Sequence, residues 1–341
     1  MHVVHFANWA PRRSGMYESV RDQIKYERRE GLESDFIDAY NEVPEGKEDG
    51  FLTPVPWAVA EEADIWVLHS FIPSKIKPLF EQKKTVAILH GPTEHMLLKE
   101  WTTRRSEMAF DLHIRILWRY DATVTLNVHE HDIMKLYDEK NRLHYIPNSI
   151  DLERVTAEGI RWEFDNHPAI LSCDVNRLEK LPAHIIWTMP RIIERIPTAR
   201  LNLFSLDLES MTTWRNIFCK AKKRELEHAC ENIQLATRDL FPFMRGADIG
   251  FNNNMSGILS RVGMEMMALG IPIVAYNGDY TPYKARIWDL DSIAEQIARC
   301  WQDMTADGST VREATRQYAQ DYFDRGKEVK KYVKLYEGLV A

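Results

Sequence analysis

Short apolar runs alternate with stretches of helical spacing along the first part of the chain. Residues 3–6, 35–37, 64–69, 85–89, 122–126 and 144–146 form apolar runs of strand length. Residues 17–31, between the first two runs, have the apolar spacing of a helix that ends at a glycine. Because strands that alternate with helices pair in parallel, this pattern predicts a parallel sheet with helices on both faces.

The same alternation begins again in the second half. Residues 169–172, 200–204, 233–235, 248–251 and 271–276 predict strands, and residues 183–196, 260–269 and 312–340 predict helices. The pattern predicts an α/β protein with two doubly wound Rossmann-like domains that face each other across a cleft. We assign residues 1–152 to the first domain, 166–318 to the second, and 319–341 to a C-terminal helix that packs back on the first domain. Residues 151–167 are polar, lack a clear period, and are interpreted as the linker region.

Charge and composition narrow the class of protein. A net charge of −7 argues against a surface that binds nucleic acid over its whole area, although it allows a local basic groove. Four cysteines without a Cys-x-x-Cys pair favour buried thiols over a zinc site or a disulfide framework. Because no apolar run approaches the roughly 20 residues of a membrane-spanning helix, we expect a soluble, cytoplasmic protein.

The strongest local signal is a helix that begins after a loop rich in Asn and Gly and ends at a glycine before a buried strand. Ser260 and Arg261 stand at its start, where unpaired N–H groups suit a diphosphate. Glu265 lies about one and a half turns into the helix, beside apolar neighbours. A buried carboxylate needs a partner, and a ribose diol offers two hydroxyl donors. The alternative is a surface glutamate on an ordinary amphipathic helix.

Residues 260–275 resemble the signature of GT-B glycosyltransferases of family four, in which a glutamate contacts the ribose of the donor nucleotide. Arg177 and Lys180 follow a predicted strand end and resemble the two cations with which the family neutralises the donor diphosphate. A solvated pair of loop residues is the alternative for these two. The resemblance thus assigns the nucleotide-sugar site to the second domain.

Further landmarks of the family occur in the first half, in the family's order. Gly15 resembles the glycine of a loop that approaches the donor, and His90 resembles the histidine whose backbone faces the sugar. Residues 146–151 resemble the box that closes the family's first domain, with Ser149 in place of the usual glycine. The chain also departs from the pattern at Gly257, where the family has a glutamate that contacts the transferred sugar. That departure puts the sugar and the retention of configuration in doubt.

The resemblance implies an enzyme that transfers a hexosyl or pentosyl group from a nucleoside diphosphate sugar, UDP-linked, to an acceptor hydroxyl group. In the family the reaction retains the anomeric configuration, and an oxygen of the leaving phosphate accepts the proton. The resemblance implies no metal and no cofactor beyond the nucleotide-sugar co-substrate. A nucleotide-sugar-binding protein without transfer activity and a nucleotide-sugar epimerase are the alternatives.

Basic and aromatic residues of the first half bear on the acceptor. Such residues suit the backbone and an extruded base of a nucleic acid, or docking on an anionic membrane, or a solvated helix with core tryptophans. The opening residues resemble a phage-type branch of the family, some of whose members glycosylate hydroxymethylated bases. We therefore predict 5-hydroxymethylcytosine in double-stranded DNA as the acceptor, with a cell-envelope saccharide or lipid as the alternative. The residues concerned are Arg12, Arg13, Lys99, Trp101, Arg104, Arg105, Arg115, Trp118 and Arg119.

The run His129-Glu130-His131-Asp132 has the composition of a metal site but not its spacing. Side chains two residues apart on a helix diverge, so the two histidines do not converge on one ion. We interpret this run as the polar start of a helix.

Overall fold

The computed structural model describes residues 1–7, 15–39, 54–69, 82–90, 117–173, 182–205, 230–235, 239–255, 258–276 and 278–341. Elements are numbered within these ranges. The chain divides into two compact units, the first comprising Met1–Ile150 with Arg325–Ala341 and the second Asp151–Asp324. Within the described ranges, no helix combines the length and the apolar character that crossing a membrane requires.

The first unit contains a six-stranded parallel sheet in the order β2-β1-β3-β4-β5-β6. Helix α8, which comes last in the chain, belongs to this unit. The elements are β1 (His2–Ala7), α1 (Gly15–Arg29), β2 (Glu33–Asp38), α2 (Ala58–Glu62), β3 (Ile65–His69), β4 (Lys84–Leu89), β5 (Ala122–Thr125), α3 (Val128–Lys135), β6 (Leu143–Tyr145) and α8 (Arg325–Val340).

The second unit contains another six-stranded parallel sheet, in the order β12-β11-β10-β7-β8-β9. The elements are β7 (Ala169–Ser172), α4 (Pro182–Arg195), β8 (Arg200–Ser205), β9 (Cys230–Leu235), α5 (Phe241–Gly246), β10 (Ile249–Asn252), α6 (Arg261–Ala268), β11 (Ile273–Tyr276), β12 (Tyr283–Ala285) and α7 (Leu290–Tyr322).

Both faces of the first sheet are buried, which explains why its strands are continuous apolar runs. Val4 and Phe6 of β1 pack into one cluster with Trp66. Val3, one position earlier, points to the opposite face and packs with Tyr332 and Tyr336 of α8. Helix α8 therefore completes the core of the first unit, although about 180 residues separate it from β6 in the sequence.

The α/β class and the two parallel sheets that the sequence predicts are confirmed. The sequence prediction missed β12, in which the exposed Lys284 interrupts the apolar run, and the first two-thirds of α7. It also joined into one helix two helices that are separated at Phe323 and Asp324. Residues 153–165, expected in the linker, lie in the second unit, where the backbone N–H of Trp162 donates to Pro242 O at 2.9 Å.

Candidate functional site

The order of strands in the second sheet reverses between β7 and β10. From β7 the chain continues to β8 on one side, and it later returns to place β10 on the other side. In open parallel sheets, ligands bind beyond the carboxyl ends of the strands at such a reversal. A ligand site is therefore expected at the described segments that follow this edge.

Side-chain amides fix the chain at this edge. Asn253 donates through Nδ2 to Ser172 Oγ at 2.6 Å, which joins the ends of β10 and β7. Asn252 donates through Nδ2 to Ile258 O at 3.0 Å and to the Tyr280 hydroxyl at 2.8 Å. These bonds hold both ends of the loop that leads from β10 to α6.

Helix α6 begins at this edge. Ser260 is its N-cap, and the Ser260 hydroxyl accepts a hydrogen bond from the backbone N–H of Gly263 at 3.2 Å. A Cβ atom at Gly263 would lie 2.4 Å from Leu259 Cδ1, so a larger residue there would require the Leu259 side chain to move. The first N–H groups of a helix have no partner within it, and the helix dipole makes this end electropositive. The sequence placed Ser260 and Arg261 correctly at the helix start.

Glu265 is buried, with 7% of its surface exposed, and its partners are two arginines. Its Oε1 atom accepts from Arg154 Nη2 at 2.5 Å and from Arg261 Nε at 3.1 Å. The protein therefore supplies two cations as partners of this carboxylate, and a contact between Glu265 and a ribose stays a prediction. Both bonds go to Oε1, and among the described residues no hydrogen bond goes to Oε2.

Arg154 is the residue of this cluster that the sequence did not reveal. It lies in the segment expected to be a linker, and its guanidinium also stands 5.3 Å from the centre of the Phe241 ring. Its one sequence signal is a cation three residues after the box at 146–151. Two arginines and one carboxylate leave a net charge of +1 beside the start of α6, an arrangement that suits an anion.

Two further residues expected at this site, Arg177 and Lys180, lie outside the described residues, as does Gly257. Arg177 and Lys180 follow Ser172, the last residue of β7, by five and eight positions. Strand β7 itself pairs with β10. Their role in binding a diphosphate stays a prediction.

The order of the first sheet reverses between β1 and β3, and the other two expected residues lie near that edge. Gly15 is the first residue of α1, and no described atom lies within 4 Å of a Cβ built on it. The described part of the fold therefore leaves room for a side chain at Gly15. A requirement for glycine there would come from a ligand or from residues outside the described ranges.

His90 directly follows β4, and its ring points toward the strands. Nε2 of His90 lies 2.7 Å from Nδ1 of His69, the last residue of β3. Burial, together with the positive charge of Arg325, lowers the pKa of His90 to about 3. The ring is therefore neutral at physiological pH. The family resemblance implied a backbone contact of His90 with the sugar, which stays a prediction, and the sequence gave no signal for this side-chain contact.

The remaining sequence expectations fall on described residues only in part. The run from His129 begins α3 as expected, with Asn127 as the N-cap accepting from the Glu130 N–H at 2.7 Å. Trp118 is 50% exposed, so this tryptophan does not belong to the core. Its neighbour Arg119 is also exposed, and the other basic and aromatic residues named for the acceptor lie outside the described ranges.

Among the described residues, one group of side chains has the composition and spacing of metal ligands. The ligand atoms of His2, Glu33 and Asp35 lie within 4.8 Å of one another, at the amino ends of β1 and β2. His2 and Asp35 already contact each other at 3.0 Å. This group is at the end of the first sheet opposite to His90, so it offers no metal to the edge where a ligand is expected.

Comparison with known proteins bears on the fold. No protein-family model and no curated protein matches the sequence. Three solved structures that match are a sucrose-phosphate synthase from Thermosynechococcus elongatus (14% identity, TM-score 0.71, 99% of this chain and 98% of that one), a glycosyltransferase from Rickettsia africae (12%, 0.72, 99% and 98%) and HepE from Anabaena in complex with UDP-glucose (12%, 0.71, 99% and 100%). The chain thus has the GT-B fold over nearly its whole length, as the sequence predicted. At these identities the likeness establishes the fold and leaves activity to the site.

Proposed function

We propose that this chain is a glycosyltransferase that moves a hexosyl or pentosyl group from a UDP-sugar to an acceptor hydroxyl group. The observation that carries the proposal is the cluster of Arg154, Glu265 and Arg261 at the start of α6, beyond the strand reversal of a GT-B fold. It is supported by the neighbouring HepE structure, whose ligand is UDP-glucose. A GT-B fold alone would not specify the chemistry.

The cluster suits the two parts of a nucleoside diphosphate. The N–H groups at the start of α6 and the excess positive charge of the arginines suit the phosphates. Oε2 of Glu265, the oxygen to which neither arginine donates, accepts a hydroxyl group of the ribose. In this proposal Arg154 and Arg261 hold the carboxylate in place for the ribose while they attract the phosphates.

The bond changes need no protein nucleophile and no metal in this proposal. The bond between the sugar carbon and the phosphate oxygen breaks, and the phosphate oxygen keeps the electron pair. The acceptor hydroxyl attacks the same face, so configuration is retained, and its proton passes to the departing phosphate oxygen. Arg177 and Lys180, together with the start of α6, stabilise the negative charge that develops on the leaving group.

Calorimetric titration with UDP and with inorganic pyrophosphate separates the two roles of the cluster. Glu265→Gln removes a charged acceptor, so we expect it to weaken UDP binding by about 10- to 100-fold, the equivalent of one charged hydrogen bond. Pyrophosphate has no ribose, and its binding should be unchanged or tighter. Glu313→Gln, at an exposed glutamate of the same unit, is the matched control. Equal losses for both ligands would show that Glu265 does not contact the ribose, and UDP binding without any loss would refute this donor site.

For the acceptor we propose 5-hydroxymethylcytosine in double-stranded DNA. Exposed Trp118 beside exposed Arg119 offers an aromatic face and a cation of the kind that binds a nucleic acid. The assay incubates the protein with labelled UDP-glucose, UDP-galactose and UDP-N-acetylglucosamine and with DNA that carries either 5-hydroxymethylcytosine or cytosine. Label in the hydroxymethylated DNA alone supports the proposal, and Trp118→Ala should reduce it.

The same assay decides among the other functions. Transfer to a lipid or a cell-envelope saccharide, with none to DNA, would replace the DNA acceptor and keep the glycosyltransferase. Interconversion of the UDP-sugars without an acceptor would indicate an epimerase. UDP binding without turnover of any donor would indicate a nucleotide-sugar-binding protein.

A further inference from the structure

Three histidines and one glutamate form a continuous hydrogen-bonded chain in the first unit. Glu27 Oε2, on α1, lies 2.7 Å from Nε2 of His5 on β1. Nδ1 of His5 lies 3.0 Å from Nε2 of His69, and Nδ1 of His69 lies 2.7 Å from Nε2 of His90. Each ring thus uses one nitrogen toward each neighbour, and the chain crosses the neighbouring strands β1, β3 and β4.

The carboxylate at one end determines which nitrogen of each neutral ring carries the proton. An ionised carboxylate only accepts, so His5 must donate through Nε2. A neutral imidazole has one donor and one acceptor, so Nδ1 of His5 accepts from Nε2 of His69. By the same step, Nδ1 of His69 accepts from Nε2 of His90. Nδ1 of His90 is then an acceptor toward whatever it meets.

One added proton reverses every bond between the rings. If His5 is charged, both its nitrogens donate, and Nε2 of His69 must accept. Nδ1 of His69 then donates to Nε2 of His90, and Nδ1 of His90 becomes a donor. A proton that arrives at His90 therefore ends on His5 without leaving a charge on His69 or His90.

The surroundings favour this location of the added charge. Glu27 is buried, which by itself raises its pKa, but the contact with His5 and hydrogen bonds from Ser34 and Gln23 bring that pKa below its usual value. Burial and the positive charge of Arg325 lower the pKa values of His69 and His90. The described titratable groups that face the chain are Glu27 of α1 and Arg325, Tyr332 and Tyr336 of α8.

We propose that Glu27, His5, His69 and His90 act as a proton relay that holds one proton at the pair Glu27–His5 and thereby reverses the hydrogen-bonding polarity of His90 at the edge of the sheet. In this relay Glu27, His5 and His69 are positioning residues, and His90 is the residue whose Nδ1 atom changes between hydrogen-bond acceptor and donor. At neutral to alkaline pH His90 accepts a hydrogen bond from a substrate hydroxyl, and after uptake of the proton it donates. The effect on substrate rests on the proposed function, whereas the coupled reversal does not.

Nitrogen-15 NMR of histidine-labelled protein tests the coupling directly, because long-range proton–nitrogen spectra distinguish the two neutral tautomers from the charged ring. Single His→Gln variants at positions 5, 69 and 90 assign the signals. At pH 8 we expect all three rings to carry the proton on Nε2. As the pH falls, His5 should become charged while His69 and His90 change to the Nδ1–H tautomer in the same step. An Nδ1–H ring among the three at pH 8, or a charge on His90 before His5, overturns the relay.

His69→Phe interrupts the chain and gives the second test. In this variant we expect His90 to be a mixture of both neutral tautomers at pH 8. We also expect the acid-side ionisation in the pH profile of kcat/KM, seen in the unaltered protein, to disappear. His129→Phe, at an exposed histidine of the same unit, is the control for a His→Phe change and should alter neither. A single Nε2–H tautomer of His90 that persists in His69→Phe overturns the relay. Coupled tautomers in a protein that turns over no UDP-sugar would refute the proposed function and leave the relay intact.

Discussion

The two units contain similar sheets, and the polar residues at their strand reversals differ. In the second unit the edge carries two arginines, one carboxylate and the start of a helix, with a net positive charge. In the first unit the edge carries His69 and His90, whose pKa values are lowered, and these are linked through His5 to one buried carboxylate. Among the described residues, the edge of the second unit therefore carries excess positive charge, and the edge of the first unit carries hydrogen-bonding imidazoles.

The difference shows that one topology can carry two kinds of polar side chain at the same edge. Strand order places loops and helix starts at the same edge in both sheets, but the side chains there decide what binds. Cations and helix N–H groups suit phosphates, whereas neutral imidazoles suit hydroxyl groups. A glycosyltransferase needs both, since its donor has a charged diphosphate and an uncharged sugar.

Among the variants that alter one of the two edges, we expect the largest effect from replacement of Arg325, the buried cation near the histidines. Arg325 donates through Nη2 to Ser149 O at 2.8 Å and to Ser19 Oγ at 2.9 Å, and thereby fastens the start of α8 to the first unit. Because Arg325→Met leaves buried acceptors without donors, we expect it to reduce the free energy of unfolding by about 2–4 kcal/mol in urea denaturation. It should also raise the pKa of His90, by NMR titration. Lys330→Met, on the exposed face of α8, is the control, and equal stability of the two variants would contradict this role.

The next effect should appear at the edge of the second unit. Arg154→Met removes one of its two cations and one partner of Glu265. We expect binding of UDP and of pyrophosphate to weaken alike, by about 10- to 100-fold, with a reduced dependence on salt. Arg191→Met removes a surface arginine that pairs with Asp291 in the same unit and should leave both affinities unchanged. A loss for UDP alone would mean that Arg154 does not contribute to the phosphate site.

The histidine edge predicts a dependence of stability on pH. The pKa of His90 is about 3 in the folded protein and near its ordinary 6.5 in the unfolded chain. Between these values only the unfolded chain binds the proton, so folding stability should fall as the pH drops through this window. His90 contributes a slope of at most about 1.4 kcal/mol per pH unit. Urea denaturation at pH 7, 6 and 5 measures the dependence of the unfolding free energy on pH. His90→Gln should reduce this dependence, and His129→Gln should leave it unchanged. An unchanged slope in His90→Gln would show that His90 is not the source.

The smallest effect is expected at the start of α6. Ser260→Ala removes the N-cap bond to Gly263 and should cost about 1 kcal/mol, which lowers Tm by a few degrees. Because the backbone N–H groups remain, pyrophosphate binding should weaken by less than in Arg154→Met. Ser309→Ala, at an exposed serine of the same unit, is the comparison. A Tm equal to that of the unaltered protein would show that the cap is dispensable.

Much of the fold follows from local pattern. The apolar runs of β1, β3, β4 and β7 are buried on both faces, so the sequence marks them with few errors. Strand β12 was missed because the exposed Lys284 interrupts its apolar run. The separation of α7 from α8 was missed because both flanking segments are helical and charged. Local pattern thus locates the long buried strands and misses short elements, the boundary between adjacent helices and the first two-thirds of α7.

The sequence by itself determined the α/β class, the two sheets and the start of α6 at Ser260, because residues adjacent in the chain form the runs and the cap that mark these elements. The roles of Gly15, His90 and Glu265 stay predictions. Only the tertiary structure decided which side chains contact one another at the two edges. Arg154 reaches Glu265 across 111 positions, and His5 reaches His69 across 64. Such pairs form because parallel strands bring distant segments to one edge, and a sequence carries no local signal of which side chains will meet there.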